Sequence, residues 1–107
     1  MENKILHTLQ GAVVRIHTLS ITCRGDMIDL SMSVSTDNKS LLIRFRNTSR
    51  ISMERISPPI DIQGFEIIYN KHKGWEQDSN YLIHDCEDNQ ISFYCEDIEV
   101  ETASQIN

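Results

Sequence analysis

The chain has 107 residues, of which 39% are hydrophobic and 24% are charged, and its formal net charge at pH 7 is −6. This length predicts a single domain over residues 1–107, and the composition is typical of a folded globular protein. The acidic balance disfavours direct binding to nucleic acid or to an anionic membrane surface, because phosphate groups repel it.

The negative charge is concentrated in the second half of the chain. Residues 1–60 carry eight Lys or Arg against five Asp or Glu, whereas residues 61–107 carry two Lys against eleven Asp or Glu. The stretch from Asp61 to Glu101 also contains the only Trp and all three Tyr. Such a segment favours a basic protein partner, a metal ion, or nothing beyond solubility.

The cysteines and the first residues predict a cytoplasmic protein. The three Cys stand at unrelated spacings, which favours reduced thiols over a disulfide framework. The opening MENKILHTLQ lacks the basic and apolar regions of a signal peptide. No apolar run approaches the ~20 residues that a membrane span requires.

In chain order, a short helix is predicted first and a three-stranded meander second. Residues 3–10 combine a possible N-cap at Asn3 with apolar side chains at helical spacing, and Gly11 ends the run. Three alternating segments follow, joined by turns at Gly25-Asp26 and Asp37-Asn38. Both turns place apolar residues opposite one another, in the pairs Leu19–Met32, Ile21–Leu30, Cys23–Ile28, Leu30–Phe45, Met32–Ile43 and Val34–Leu41. The same register sets Asp29 opposite Arg46, an opposite-charge pair.

The second half predicts further strands. Ile51, Met53 and Ile56 fit either a short strand or a helical turn, which Pro58-Pro59 ends. Residues 60–69 predict one strand with a bulge or a close approach at Gly64. A last strand follows over residues 96–101, and residues 102–107 are predicted to be a frayed tail. The predicted fold is mainly β, with α+β at the margin: about six or seven antiparallel strands that curl into a sandwich or a partly open barrel, plus the N-terminal helix.

A hairpin is predicted between residues 81–86 and 91–95, with a two-residue turn at Asp88-Asn89. That register pairs Leu82 with Cys95, His84 with Phe93 and Cys86 with Ile91, and buries all six. It leaves the opposite face to Tyr81, Ile83, Asp85, Tyr94 and Glu96.

Metal binding and catalysis find little support in the sequence. His84, Asp85, Cys86 and Asp88 are metal-capable residues, but successive strand residues alternate faces and no recognised ligand spacing is present. No Ser or Cys stands at a known spacing from His7, His17 or His72 for nucleophilic catalysis. We therefore predict no catalytic residues, no metal, no cofactor and no enzymatic activity.

A surface for a cationic partner is the main functional hypothesis from the residues themselves. It combines amphipathic aromatics with nearby carboxylates: Trp75, Asp78, Tyr81, Asp85, Glu87, Asp88, Tyr94, Glu96 and Asp97. Two simpler interpretations stay open. Trp75 can be a core side chain, and the acids can be a solvated sheet edge that prevents aggregation.

The pattern GFEII…KGW…YLIHDCEDNQISFYCEDIEV, over about Gly64 to Val100, resembles small bacterial immunity proteins of contact-dependent and other polymorphic toxin systems. The resemblance implies a small, acidic, cytoplasmic protein that binds and neutralises a cognate toxin. Many such toxins are nucleases with basic clefts, which an acidic surface would complement. It contains no catalytic signature and assigns no binding residue.

Two other classes of function remain open. One is a small enzyme or ligand-binding barrel with a cavity lined by Tyr69, Trp75, His84 and Tyr94. The other is a structural or assembly subunit, which would present a large symmetric apolar interface.

Overall fold

A computed structural model describes residues 13–37, 39–54, 57–69 and 80–102. The described residues form nine strands: β1 (Val14–Arg24), β2 (Met27–Ser35), β3 (Ser40–Arg46), β4 (Ser49–Met53), β5 (Ile60–Ile62), β6 (Phe65–Tyr69), β7 (Tyr81–Asp85), β8 (Ile91–Cys95) and β9 (Asp97–Thr102). The predicted helix over residues 3–10 lies outside the described residues. So do Trp75, Asp78 and all of the predicted tail except Thr102, which ends β9.

The strands form two antiparallel sheets, which confirms the predicted antiparallel β architecture. The first sheet has the order β5-β1-β2-β3-β9, and the second has the order β4-β8-β7-β6. Within the described part of the chain neither sheet closes into a barrel. The segment predicted as one strand over residues 60–69 forms two strands, because the chain leaves the first sheet after β5 and enters the second at β6.

The meander of β1, β2 and β3 has the predicted register. Leu19, Ile21 and Cys23 pair with Met32, Leu30 and Ile28, and β3 pairs with β2 from Leu30–Phe45 to Ser35–Ser40. Gly25 has a φ of 60°, the left-handed value that a Gly-first hairpin turn requires. The predicted pair of Asp29 with Arg46 is an ion pair of 3.4 Å.

The core lies between the two sheets. Alternate residues of the first sheet are buried against alternate residues of the second, as strand geometry requires. Phe45 of β3 and Phe93 of β8 meet edge to face across the layers, with ring centroids 5.0 Å apart. Both rings are fully buried, so this pair joins the sheets at the centre of the molecule.

The predicted register of the hairpin between β7 and β8 is wrong by one residue. Tyr81 pairs with Cys95, Leu82 with Tyr94, and Ile83 with Phe93. Ile83 and Asp85 are therefore buried, whereas His84 is half-buried and Cys86 is exposed. The reason is the connection, which spans residues 86–90 instead of two turn residues.

Gly64 approaches this connection closely, as predicted. A Cβ atom on Gly64 would lie 2.7 Å from Cys86 Sγ and 2.7 Å from Glu87 Cγ. The Gly64 carbonyl also accepts a hydrogen bond of 2.8 Å from the Cys86 N–H. A side chain at position 64 would therefore require Cys86 and Glu87 to move.

Two strand pairs pass together from one sheet to the other. β3 pairs with β9 in the first sheet, and their continuations β4 and β8 pair in the second. The bend lies at Asn47, which has a φ of 54°, and at Glu96, whose N–H donates to the Arg46 carbonyl at 2.9 Å. Thr48 anchors the bend to β2 because its N–H and hydroxyl both donate to the Ile28 carbonyl, at 2.7 and 2.8 Å. We call this two-stranded element the bent ribbon.

Candidate functional site

The hairpin of β7 and β8 separates the predicted partner-binding residues into three places. Glu87 and Asp88 lie in the turn at one end, while Tyr81, Glu96 and Asp97 lie at the other. Strands of five residues place the two ends roughly 17 Å apart. Tyr94 lies on the outer face of the second sheet, because it alternates with the buried Phe93 and Cys95. The predicted residues that the structure describes therefore do not form one surface.

Asp85 holds the turn between β7 and β8 and does not face solvent. Its side chain is 1% exposed, and it accepts backbone hydrogen bonds from Glu87 at 3.0 Å, Asp88 at 3.3 Å and Gln90 at 3.2 Å. Burial by itself raises the pKa of Asp85, but these amides and that of Gly64 outweigh it, so the pKa lies below its usual value. A buried, charged carboxylate with this many donors is a structural element and is unavailable to a partner.

The outer face of the second sheet carries separate polar contacts. His84 Nε2 lies 2.7 Å from Glu66 Oε1 on the neighbouring strand. The Arg50 guanidinium lies 5.8 Å from the centre of the Tyr94 ring. Tyr69 belongs to the opposite, inner face, since it lies two and four residues after the buried Ile67 and Phe65 and strand residues at this spacing share a face. The alternative of a cavity lined by Tyr69, Trp75, His84 and Tyr94 includes one residue, Trp75, outside the described part of the chain. The other three side chains do not lie on one face and so do not line a common cavity.

A cleft of about 530 Å³ opens beside the bend of the ribbon. Its walls come from both sheets: Arg24, Met27, Arg46, Tyr69, Asn80, Tyr81, Glu96 and Asp97. We call it the corner cleft. It brings together three of the predicted residues, Tyr81, Glu96 and Asp97. The chain segment that contains Trp75 and Asp78 connects two other residues of the wall, Tyr69 and Asn80.

The aromatic wall of the corner cleft is a pair of tyrosines. Tyr69 and Tyr81 are cross-strand partners, and their ring centroids lie 5.2 Å apart at an interplanar angle of 40°. Tyr69 is 43% exposed, whereas Tyr81 also packs against the core. The pair thus presents ring surface to the cleft from a fixed strand position.

Arg24 and Arg46 form the cationic side of the corner cleft, and the buried carboxylate of Asp29 forms ion pairs with both. This carboxylate is 4% exposed and accepts hydrogen bonds from Arg24 Nε at 2.6 Å, Arg24 Nη2 at 3.2 Å and the Asn47 N–H at 3.0 Å. The Arg24 hydrogen bonds, opposed in part by burial, lower the pKa of Asp29 to about 2. Arg46 is bound to Glu99 at 2.6 Å and to Asp29 at 3.4 Å.

Glu96 and Asp97 form the anionic side of the corner cleft, and fewer contacts offset their negative charge. Both Glu96 and Asp97 are exposed. Glu96 Oε1 accepts one hydrogen bond of 3.2 Å from Asn47 Nδ2, and Asp97 Oδ1 accepts one of 2.9 Å from the Ile98 N–H. Neither carboxylate forms an ion pair with another described residue. With the two tyrosine rings beside them, they can receive a cationic side chain.

Sequence reasoning missed Arg24, Met27 and Arg46 as parts of this site. They belong to the β1–β2 hairpin end and to the bend of the ribbon, which are distant in sequence from the hairpin of β7 and β8. The predicted pairing of Asp29 with Arg46 was the available signal, because it places a basic residue one position before the bend.

The described residues contain no group of three or more His, Cys, Asp or Glu side chains that could hold a metal ion. In the same part of the chain, no helix has the length and apolar character needed to cross a membrane. Comparisons with protein-family models, curated protein sequences and solved structures find no significant match to this chain.

Proposed function

We propose that this protein is an immunity-type inhibitor that binds a basic protein toxin through the corner cleft and blocks it by steric cover. The observation that supports the proposal is the meeting of Tyr81, Glu96 and Asp97 in one cleft beside Tyr69. The predicted contact surface is thereby reduced to these residues, and Asp85, Glu87, Asp88 and Tyr94 are left outside it.

The cleft suits an Arg or Lys side chain of a partner. The guanidinium or ammonium group would lie against the exposed carboxylates of Glu96 and Asp97, and its methylene groups would pack on the tyrosine rings. Arg24 and Arg46 would not repel it strongly, since Asp29 and Glu99 already compensate their charge. The net charge of −6 would steer a basic partner toward the complex and raise the association rate.

The first experiment identifies the partner by growth. The chain is co-expressed with the product of the immediately upstream reading frame, and colony formation is measured with and without it. We expect the neighbour to be toxic alone and harmless with the chain. A harmless neighbour that forms no complex would count against the proposal.

The second experiment locates the contact by matched neutralisation. Glu96→Gln with Asp97→Asn removes two charges at the corner cleft, and Glu87→Gln with Asp88→Asn removes two at the far end of the hairpin. With the toxic neighbour as the binding partner, we expect the first pair to raise Kd by about tenfold or more. The second pair should change Kd by no more than about twofold, because charges outside the contact affect only the long-range attraction between the two proteins.

The dependence of Kd on ionic strength distinguishes a direct contact at the corner cleft from attraction by the net charge. The logarithm of Kd should depend less steeply on ionic strength for the corner-cleft variant than for the wild type. Equal effects of the two variants on Kd would show that only net charge matters, and the corner cleft would then not be the contact surface.

A further inference from the structure

The strand β1 has an open edge. On the side away from β2, β1 pairs with β5 only from Val14 to Ile16. Beyond that point, residues 18–24 pair with β2 alone among the described strands. Alternate backbone N–H and C=O groups of such a strand point outward, where another strand can bind them.

The residues of this edge are not of the types that usually prevent a strand from pairing with another. Residues 18–23 read TLSITC and contain no Pro, Lys, Asp or Glu. The charge at the end of the strand, Arg24, is held by Asp29 at 2.6 Å. The irregularity between Ile16 and Thr18 precedes this segment and leaves its pairing with β2 regular.

An apolar groove lies beside the open edge. Its volume is about 430 Å³, and its lining joins β1 and β2 to the edge strand β4 of the second sheet: Leu19, Ile21, Leu30, Ile51 and Met53. We call it the side groove. The groove leaves Ile21 largely open to solvent. Its side chain is 61% exposed, although its cross-strand partner Leu30 is fully buried. An inward-facing Ile with this exposure marks a place where the described strands of the second sheet do not cover the first.

The edge is complementary to itself in antiparallel alignment. With Ile21 opposite Ile21 of a second copy, Leu19 faces Cys23 and Ser20 faces Thr22. Apolar residues then meet apolar residues on the inner face, and hydroxyl residues meet on the outer face. Arg24 falls opposite Thr18, so the two copies bring no like charges into register despite their net charge of −6 each.

We propose that β1 pairs with β1 of a second copy of this chain about a two-fold axis at Ile21. The two first sheets become one continuous sheet, as in other isologous interfaces. The inner face of the added strand lies over Ile51 and Met53 and so fills the side groove. The interface shares only Arg24 with the corner cleft, and it does not depend on the proposed toxin.

Sedimentation velocity of the full chain tests the assembly. We expect the wild type to sediment as a dimer at roughly 100 µM, a concentration well above the Kd of a specific interface. Ile21→Lys and Ile51→Lys should each raise the dimer Kd about tenfold or more, because each puts a charge into the apolar interface. Leu42→Lys is the matched control, since Leu42 is a 42% exposed residue of β3 away from the groove, and it should leave the Kd unchanged.

Circular dichroism confirms that each variant is folded, and the two groove variants lie on different strands, so misfolding of one does not decide the result. A monomeric wild type overturns the proposal, whether or not the edge can bind a strand of another protein. So does an equal loss of dimer in Leu42→Lys.

A cysteine scan tests the register independently. In a Cys23→Ser, Cys86→Ser background, Ile21→Cys should form a covalent dimer under mild oxidation, because the residue faces itself across the axis. Leu42→Cys in the same background should not. Equal cross-linking of the two variants would rule out the alignment at Ile21.

Discussion

The Asp85 side chain stabilises the turn between β7 and β8 by accepting backbone hydrogen bonds. The sequence alone does not predict these bonds. An Asp at the end of a strand gives the same sequence pattern whether its carboxylate faces water or binds the amides of the following loop. The difference depends on loop length, and the connection over residues 86–90 brings the amides of Glu87, Asp88 and Gln90 within 3.0–3.3 Å of the carboxylate. For this reason the sequence placed Asp85 on a partner surface and the structure buries it.

Asp85→Asn tests this role. The amide NH₂ group would face backbone N–H donors in place of a charged acceptor, so we expect the free energy of unfolding to fall by about 1–3 kcal/mol. Urea denaturation measures the change. Glu87→Gln is the control, because Glu87 is exposed, and its effect should stay within about 0.5 kcal/mol. A variant at Asp85 no less stable than the control would show that the turn does not depend on the carboxylate.

At the scale of the elements, the meander was predictable and the second hairpin was not. The sequence predicts short turns at Gly25-Asp26 and Asp37-Asn38, and apolar and polar residues alternate in β2 from Ile28 to Val34. Only one register then brings the alternating apolar residues of the three strands onto the same face. β7 and β8 carry apolar residues on both faces. Burying Leu82 and burying Ile83 satisfy the pattern equally well, and the structure has the second register, with a connection over residues 86–90 that Gly64 approaches closely.

The two registers make opposite predictions for truncation. Ile83→Ala should lower the free energy of unfolding by about 2–5 kcal/mol, because Ile83 is fully buried. Leu82→Ala should cost about 1 kcal/mol, because Leu82 is half-buried. Chemical denaturation of the two variants gives the comparison. A larger effect at Leu82 would support the register in which Leu82 faces Cys95.

At the scale of the whole molecule, the sequence predicted antiparallel sheets but not the exchange of strands between them. The bend at Asn47 and Glu96 depends on Asp29 and on the Ile28 carbonyl of β2, which are distant in the chain. The corner cleft exists only because of that bend. Tyr81, Glu96 and Asp97 were therefore predictable as residue types, while their arginine neighbours were not.

Asp29 gives the molecule a defined response to acid. Its pKa in the folded protein is about 2, below the usual 3.8, so its stabilising contribution is complete above pH 3.8 and is lost as the pH falls through about 2. The lowered pKa of Asp85 acts in the same direction. The free energy of unfolding should therefore fall between about pH 4 and pH 2.

Asp29→Asn should be less stable than the wild type at pH 7 by about 1–3 kcal/mol. Its loss of stability between pH 4 and pH 2 should be smaller, because the group that titrates is gone. Urea denaturation at several pH values measures both quantities. Parallel pH profiles for the two proteins would contradict the assignment.

The bent ribbon lowers the conformational entropy that the protein would lose when a partner binds the corner cleft. The chain runs from β3 into β4 and from β8 into β9 at the bend, so two neighbouring chain segments join the sheets covalently at this side. The wall of the corner cleft at Arg46, Glu96 and Asp97 lies at these two connections, where the Glu96 N–H also donates to the Arg46 carbonyl at 2.9 Å. Binding against that wall would order little additional backbone, so the complex would lose little conformational entropy there.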